Sequence, residues 1–271
     1  MASPPSTREQ TKQTGQFTRA TEGSRSLARG LLLLRAFRVG TSTLTNADLS
    51  ARTGLPRPTV SRLTRSLVDA GFLSYDVGER AYRLAPIVLS LADAFRLAHQ
   101  VTEVALPLMQ EVAQAHQVNV GLALADQTDM VYLLSVRHSA DSVSRLRRVA
   151  PGTRVPIHET AVGLAYLAAL PADARRALVE KVAQEKGSPR LARQLESAIA
   201  QVQRRGYSQA AFMQGNMAVG RTFQAADRQL YALNISFEAR AGRESLDCEH
   251  YAQVLHDLCI AAAQALNGGR S

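Results

Sequence analysis

Five polar side chains between positions 57 and 65 carry the strongest chemical signal in this sequence. Arg57, Thr59, Ser61, Arg62 and Arg65 are interleaved with Val60, Leu63 and Leu67. Aliphatic residues recurring at three- and four-residue spacing read as the inward stripe of a helix, which leaves the polar set on the opposite face. Guanidinium groups pair two-pronged with guanine or bond phosphate oxygens, and Ser and Thr hydroxyls reach phosphates or base edges. Such a face suits the major groove of DNA. An ordinary amphipathic helix with a solvated basic face has the same spacing, so the flanking elements must separate the two.

Those elements form an ordered set. Thr45 is placed to cap a short helix holding Ala47, Leu49 and Ala51, and Thr53-Gly54 ends it where Gly tolerates a left-handed backbone. Pro56 and Pro58 fix φ at the start of the next helix, where proline is tolerated. Gly71 to Tyr75 then has strand character, Asp76 to Arg80 is a turn, and Ala81 to Leu84 returns as a second strand. A preceding helix from Ser24 to Phe37 is expected to point Leu27, Leu31 and Leu34 inward. Three helices followed by a hairpin make a winged helix-turn-helix, with Arg80 or Arg83 of the wing positioned for the phosphate backbone.

Charge agrees. The 271-residue chain carries a formal +9; residues 1–85 hold 13 Lys and Arg against 6 Asp and Glu, whereas residues 86–271 hold 19 against 17. The basic excess lies where a phosphate-binding surface is expected. Cys248 and Cys259 are the two cysteines. On one helix they would lie about 16 Å apart, too far for a disulfide, and free thiols fit a reducing cytoplasm. The apolar run Leu31 to Leu34 is too short for a membrane span or a signal peptide, so a cytoplasmic protein with no membrane partner is expected.

Residues 1–23, rich in Ser, Thr, Gln, Pro and Gly, read as a disordered tail. A linker helix is expected over 86–100, and a helix over 101–116 with Val104, Leu108 and Val112 inward. Strands are expected over 119–125, 130–136, 144–149, 217–223 and 230–237, and helices over 160–170, 173–186, 191–205 and 248–266. Strands on both sides of a helical block imply an α+β domain with a central antiparallel sheet.

Other constellations carry less. Cys248, His250, His256 and Cys259 are too spread along one helix to share a zinc ion. His158 beside Glu159 lacks a nucleophile motif such as G-x-S-x-G, and no Gly-rich phosphate loop follows a strand; neither an enzyme nor a cofactor is expected. Arg145, Arg147 and Arg148 leave three uses open: an anionic ligand, a subunit contact, or solvation. Tyr132 and Phe223 face either a pocket or the core.

The stretches SLARGLLLLRAF, LSARTGLPRPTVSRLTRSLVDAGFL, YRLAPIVLSLADAF, APGTRVPIHETAVGLAYLAALP and QVQRRGYS together resemble IclR-type transcriptional regulators over residues 24–266. The resemblance implies a winged helix-turn-helix at 24–85, a linker helix at 86–100 and a GAF-like effector domain at 101–271. It also implies dimers or tetramers, a palindromic double-stranded operator, and a small-molecule effector, an organic or aromatic acid. DNA contacts fall to Arg57, Thr59, Ser61, Arg62, Arg65 and Arg80. Effector contacts fall to Ala161 and Val162, whose amides open the signature helix, to Ala218, where relatives often carry Cys, and to Asn234 and Ser236. Ser208 and Gln209 occupy the shorter loop that lacks the family's Asp, and Leu164 replaces a common Lys or Arg. Losing these polar groups favours a partly apolar aromatic acid over a very small one such as glyoxylate. The competing readings are a DNA-binding protein without a ligand and an enzyme with an appended DNA-binding head.

Overall fold

The computed structural model describes residues 23–138, 149–213, 215–225 and 228–268. Residues 1–22 of the tail expected at 1–23, residues 144–148 of the strand expected at 144–149, and the three arginines Arg145, Arg147 and Arg148 lie outside them. The chain divides into two compact units after Ser90.

In the first unit, Ser24 caps helix α1 (Arg25–Arg35), accepting from Leu27 N at 3.3 Å. Thr45 caps α2 (Asn46–Thr53) through a reciprocal box: Asp48 N donates to Thr45 Oγ1 at 3.1 Å, and Thr45 N donates to Asp48 Oδ2 at 2.9 Å. Gly54 ends it with φ of 70°, a left-handed conformation that side chains disfavour. Helix α3 (Arg57–Asp69) follows with a proline at its start. Leu33, Leu49, Val60, Leu63 and Leu73 pack into one core. Strands β1 (Leu73–Asp76) and β2 (Ala81–Leu84) pair antiparallel with Leu73 opposite Leu84, and a bridge from Leu44 to Tyr82 ties the wing to the segment before α2.

One expectation for this unit is corrected. Helix α1 buries Gly30 and Leu33, while Leu27 and Leu31 are exposed. A run of four leucines has no period, so sequence alone does not orient it. Helix α4 (Ile87–Ala98), which crosses the division between the units, buries none of its residues.

The second unit is built on a six-stranded antiparallel sheet in the order β5-β4-β3-β8-β7-β6. The strands are β3 (Asn119–Asp126), β4 (Asp129–Val136), β5 (Arg154–Pro156), β6 (Ser208–Met213), β7 (Asn216–Gln224) and β8 (Leu230–Glu238). Alternation along β8 sends Tyr231, Leu233 and Ile235 into a core shared with α5 (Val101–His116) and α9 (Glu244–Gly268). Ala232 joins a second core with Tyr132, Val162, Leu167 and the helices α6 (Ala161–Ala169), α7 (Ala172–Glu185) and α8 (Pro189–Arg205). The fold is therefore α+β, a helix-turn-helix unit followed by a curled antiparallel sheet with helices on both faces.

Three details differ from expectation. Helix α5 buries Val101, Ala105, Met109 and Ala113, with Val104, Leu108 and Val112 half-buried beside that stripe. Strand β5 is a three-residue edge ending in proline, too short for any periodic signal. The segment expected as a loop at Ser208 and Gln209 opens β6, an Ala-rich edge strand without β-branched residues. Among the described residues no helix is long and apolar enough to cross a membrane.

Candidate functional site

Two polar surfaces stand out, one in each unit. On α3, Arg57, Ser61, Arg62 and Arg65 are exposed and Thr59 is half-buried, opposite the buried Val60 and Leu63. Thr64 is fully buried instead, its hydroxyl donating to Val60 O at 3.0 Å within the helix. Among the described residues none pairs with the guanidinium groups of Arg57, Arg62 or Arg65, although the Ser66 hydroxyl donates to Arg62 O at 3.3 Å; those guanidinium groups stay available to an outside acceptor. In the wing, Arg83 is held by Asp76 at 2.7 Å and Glu79 at 3.3 Å. Arg80 is exposed at the turn in a left-handed conformation, φ 50°. Of the two wing candidates, Arg83 is ion-paired and Arg80 has no ion pair among the described residues.

In the second unit a cavity of about 320 Å³ opens at the ends of β3, β4 and β8, the lower end of the usual ~300–1,000 Å³ for small-molecule sites. Asn234 and Ser236 alternate onto the same face of β8 and line it together with Tyr132 of β4. They form a directional chain. The Tyr132 hydroxyl donates to Asn234 Oδ1 at 3.1 Å, and Asn234 Nδ2 donates to Ser236 Oγ at 2.8 Å. Tyr132 is 7% exposed, and burial pushes its phenol pKa well above the ordinary value, which keeps it a donor. Gly121 makes room for the pair: a Cβ there would come within 2.5 Å of the Tyr132 ring and 2.6 Å of Asn234 Oδ1.

Around this chain, Phe212 and Val149 supply apolar wall, and Arg137 and His138 bring potential cations just past the end of β4, with Glu238 the opposing carboxylate. Sequence reasoning did not single out Asn119, Gly121, Arg137 or His138. A glycine inside the NVGLALA strand was the available signal, since such a glycine marks close approach.

Ala161, Val162 and Ala218 are each buried and do not line the cavity. Ala218 lies close by in the sheet's pairing. Ala218 is the register partner of Ser236, and Gly220 is that of Asn234. A Cβ on Gly220 would meet Ala161 O at 2.6 Å, so the first turn of α6 presses on β7 one strand from Asn234. The Ser208 hydroxyl donates there, 2.6 Å from Ala161 O. Thr160 caps α6 by accepting from Gly163 N at 3.3 Å.

The remaining candidates do not line the cavity. Phe223 stacks on Tyr231 in the core with ring centroids 5.6 Å apart. His158 Nε2 lies 2.9 Å from Glu159 Oε1. Cys248 and Cys259 are buried free thiols on α9, and burial pushes the Cys259 pKa up to about 12. Among the described residues no group of His, Cys, Asp or Glu is arranged to hold a metal.

Comparison with known proteins completes this picture. The family model "IclR helix-turn-helix domain" matches residues 26–77, and "Bacterial transcriptional regulator IclR C-terminal" matches residues 97–265. The HTH-type transcriptional regulator TsaQ1/TsaQ2 of Comamonas testosteroni is 33% identical over 162 residues, 60% of this chain and 58% of that relative's length. A crystal structure of an IclR family transcriptional regulator from Brucella abortus superposes with a TM-score of 0.74 at 28% identity, covering 96% of each chain. An IclR homologue from Microbacterium hydrocarbonoxydans, solved in complex with 4-hydroxybenzoate, shares the fold with a TM-score of 0.65 at 23% identity, covering 90% of this chain and 99% of its own. Two family domains matched in order, the second spanning well over half of the sequence, place the chain in the IclR family of bacterial transcriptional regulators.

Proposed function

We propose that this protein is a cytoplasmic, ligand-responsive regulator that binds a palindromic operator as a homodimer or a pair of dimers, and that its effector is a small organic acid, in the first instance an aromatic one. The observation that carries the reading is the pairing, in one chain, of an exposed and unpartnered arginine face on α3 with a separate cavity that combines fixed polar donors, an aromatic wall and Arg137. Arg57, Thr59, Ser61, Arg62 and Arg65 read or anchor DNA from the helix, and Arg80 meets the backbone from the wing. Asn234 and Ser236 hold the effector, and the positive end of α6 at Ala161 and Val162 adds a favourable potential for an anion from one strand away, with Ala218 behind Ser236. Helix α4, none of whose residues is fully buried, and the exposed Leu27 and Leu31 of α1 suit contacts with a second copy. An effector that binds one arrangement of the dimer better shifts DNA affinity by that difference.

The test begins with DNA fragments selected by the purified protein from a random pool. The bound consensus is expected to be palindromic, and Arg62→Ala is expected to weaken binding to it by about 1–3 kcal/mol. Unchanged affinity would remove Arg62 from the interface, and equal affinity for random DNA would favour a binder without sequence choice. A thermal-shift panel of organic and aromatic acids, 4-hydroxybenzoate and glyoxylate included, then tests the cavity, since a ligand of the folded state raises the melting temperature. Micromolar glyoxylate binding with no aromatic ligand would overturn the aromatic preference.

A further inference from the structure

Strand β6 opens Ser-Gln-Ala-Ala and then carries Phe212, at the outer edge of the sheet. That ring is 47% exposed and belongs to none of the three hydrophobic cores. It meets no other aromatic ring among the described residues. A phenyl group left so far in water has much of the stabilisation from burial still to gain. Among the described residues, the other large apolar side chains with comparable exposure stay out of the cavity lining, whereas Phe212 is part of it. Pairing with β7 runs Ala210 to Ala218 and Ala211 to Met217, then Met213 to Asn216, so Phe212 has no register partner. An extra residue of this kind re-aims a side chain and is frequent at sheet edges beside binding sites. Two strands inward, β8 holds Asn234 and Ser236, about 10 Å away at the usual strand spacing. The register row leading from Ser236 toward β6 continues through Ala218 and Ala210, methyl groups only.

We propose that Phe212 is a specificity-determining residue that stacks on the effector's ring and selects an aromatic carboxylate over a saturated-ring carboxylate of the same size. This rests on the cavity being the effector site. The acid group meets the polar end at Asn234, Ser236 and Arg137, and the ring reaches across β7 to the phenyl group of Phe212. A saturated ring offers at least as much apolar surface, so an aliphatic wall would put it at no disadvantage. A phenyl wall does, because offset and edge-to-face ring pairs attract beyond what area burial alone supplies.

Calorimetric titration of the full chain with two matched pairs, benzoate against cyclohexanecarboxylate and phenylacetate against cyclohexylacetate, tests this. In at least one pair the aromatic member is expected to bind about 3–10-fold tighter. Phe212→Leu, which keeps an apolar side chain without a ring face, should bring that ratio close to one, and Phe212→Tyr should preserve it. The side chain is exposed, so both variants are expected to fold, and circular dichroism establishes that they do. A wild-type ratio of one or below in both pairs, or a ratio that Phe212→Leu leaves unchanged, would overturn the role of Phe212 while leaving the effector site intact. A change of oligomeric state in Phe212→Leu, read by analytical ultracentrifugation with the ratio unchanged, would overturn it too, by placing the ring at a contact between copies. Absence of binding by all four acids would overturn the effector-site reading itself, and the proposal with it.

Discussion

The two polar surfaces of this protein are prepared in opposite ways. On α3 the guanidinium groups of Arg57, Arg62 and Arg65 stand in solvent, placed by one helix whose buried stripe is Val60 and Leu63. Their readiness is local, and a phosphate or base edge replaces water. In the cavity, the donors are held before any ligand arrives by a bond between residues 102 positions apart in sequence, Tyr132 to Asn234, and by a glycine that clears the space between their strands. Long, solvated side chains suit a partner found by electrostatic attraction and then fitted. Short, fixed side chains suit a small ligand that must be told from near relatives, because little ordering remains to oppose binding.

The contrast can be broken most severely through the glycines. Gly163, in the first turn of α6, approaches the backbone so closely that a Cβ would overlap Ile157 O. Gly163→Ala is expected to destabilise the second unit by about 3 kcal/mol or more, whereas Gly30, equally buried within α1, has nothing within 4 Å of the added Cβ. Gly30→Ala is expected to stabilise the head by about 0.5–1 kcal/mol, because alanine loses less backbone freedom in a helix. Calorimetric unfolding of both variants reads the two effects. Similar behaviour at the two positions would mean that the close approach at Gly163 is relieved by relaxation.

That same difference explains what the sequence disclosed. The head was legible nearly throughout, since caps, a glycine stop, prolines at a helix start and a hairpin turn all act within a few residues. The orientation of α1 was not, because its leucines are consecutive. The sheet's long strands were legible by alternation, but β5 and β6 were not, one being too short and the other too rich in alanine. Asn234 and Ser236 could be placed on one face by period alone. Their linkage to Tyr132, and the arrival of Asn119 and Arg137 beside them, depend on which strands become neighbours, and no local pattern encodes that order.

A smaller test compares the two helix caps. Thr45 opens α2 in solvent through its box with Asp48, and its bonds hold the Asp48 carboxyl below the usual carboxylate range, the side-chain bond foremost. Thr160 opens α6 and also donates to Pro156 O at 2.9 Å, tying the helix to the end of β5. Thr45→Ala is expected to cost about 1 kcal/mol in the head. Thr160→Ala should cost about 1–2 kcal/mol in the second unit, since it removes a cap and also leaves a partly buried carbonyl without its donor. Denaturant titration of each variant separates them, and a larger loss for Thr45 would reverse the assignment of local and long-range support.

The smallest expected effect concerns acid. Asp247 on α9 is 3% exposed and holds the Arg240 side chain as well as its backbone N–H, the latter at 2.9 Å. The side-chain bond from Arg240, then that backbone bond, lowers the Asp247 pKa below its ordinary value. A carboxyl that releases its proton more readily when folded than when unfolded stabilises the fold above its unfolded pKa, about 3.9. The contribution disappears as pH falls through the lower, folded value. Wild type should therefore lose melting temperature below about pH 4 more steeply than Asp247→Asn, and the two slopes should converge above about pH 5. The effect is modest because the Arg240 side chain is 67% exposed and screened by solvent and salt. The head supplies its own counterpart in Asp76, also lowered, with the backbone bond from Glu79 the leading cause and Arg83 contributing. Parallel acid limbs in wild type and Asp247→Asn would mean that Asp247 does not set the protein's sensitivity to acid.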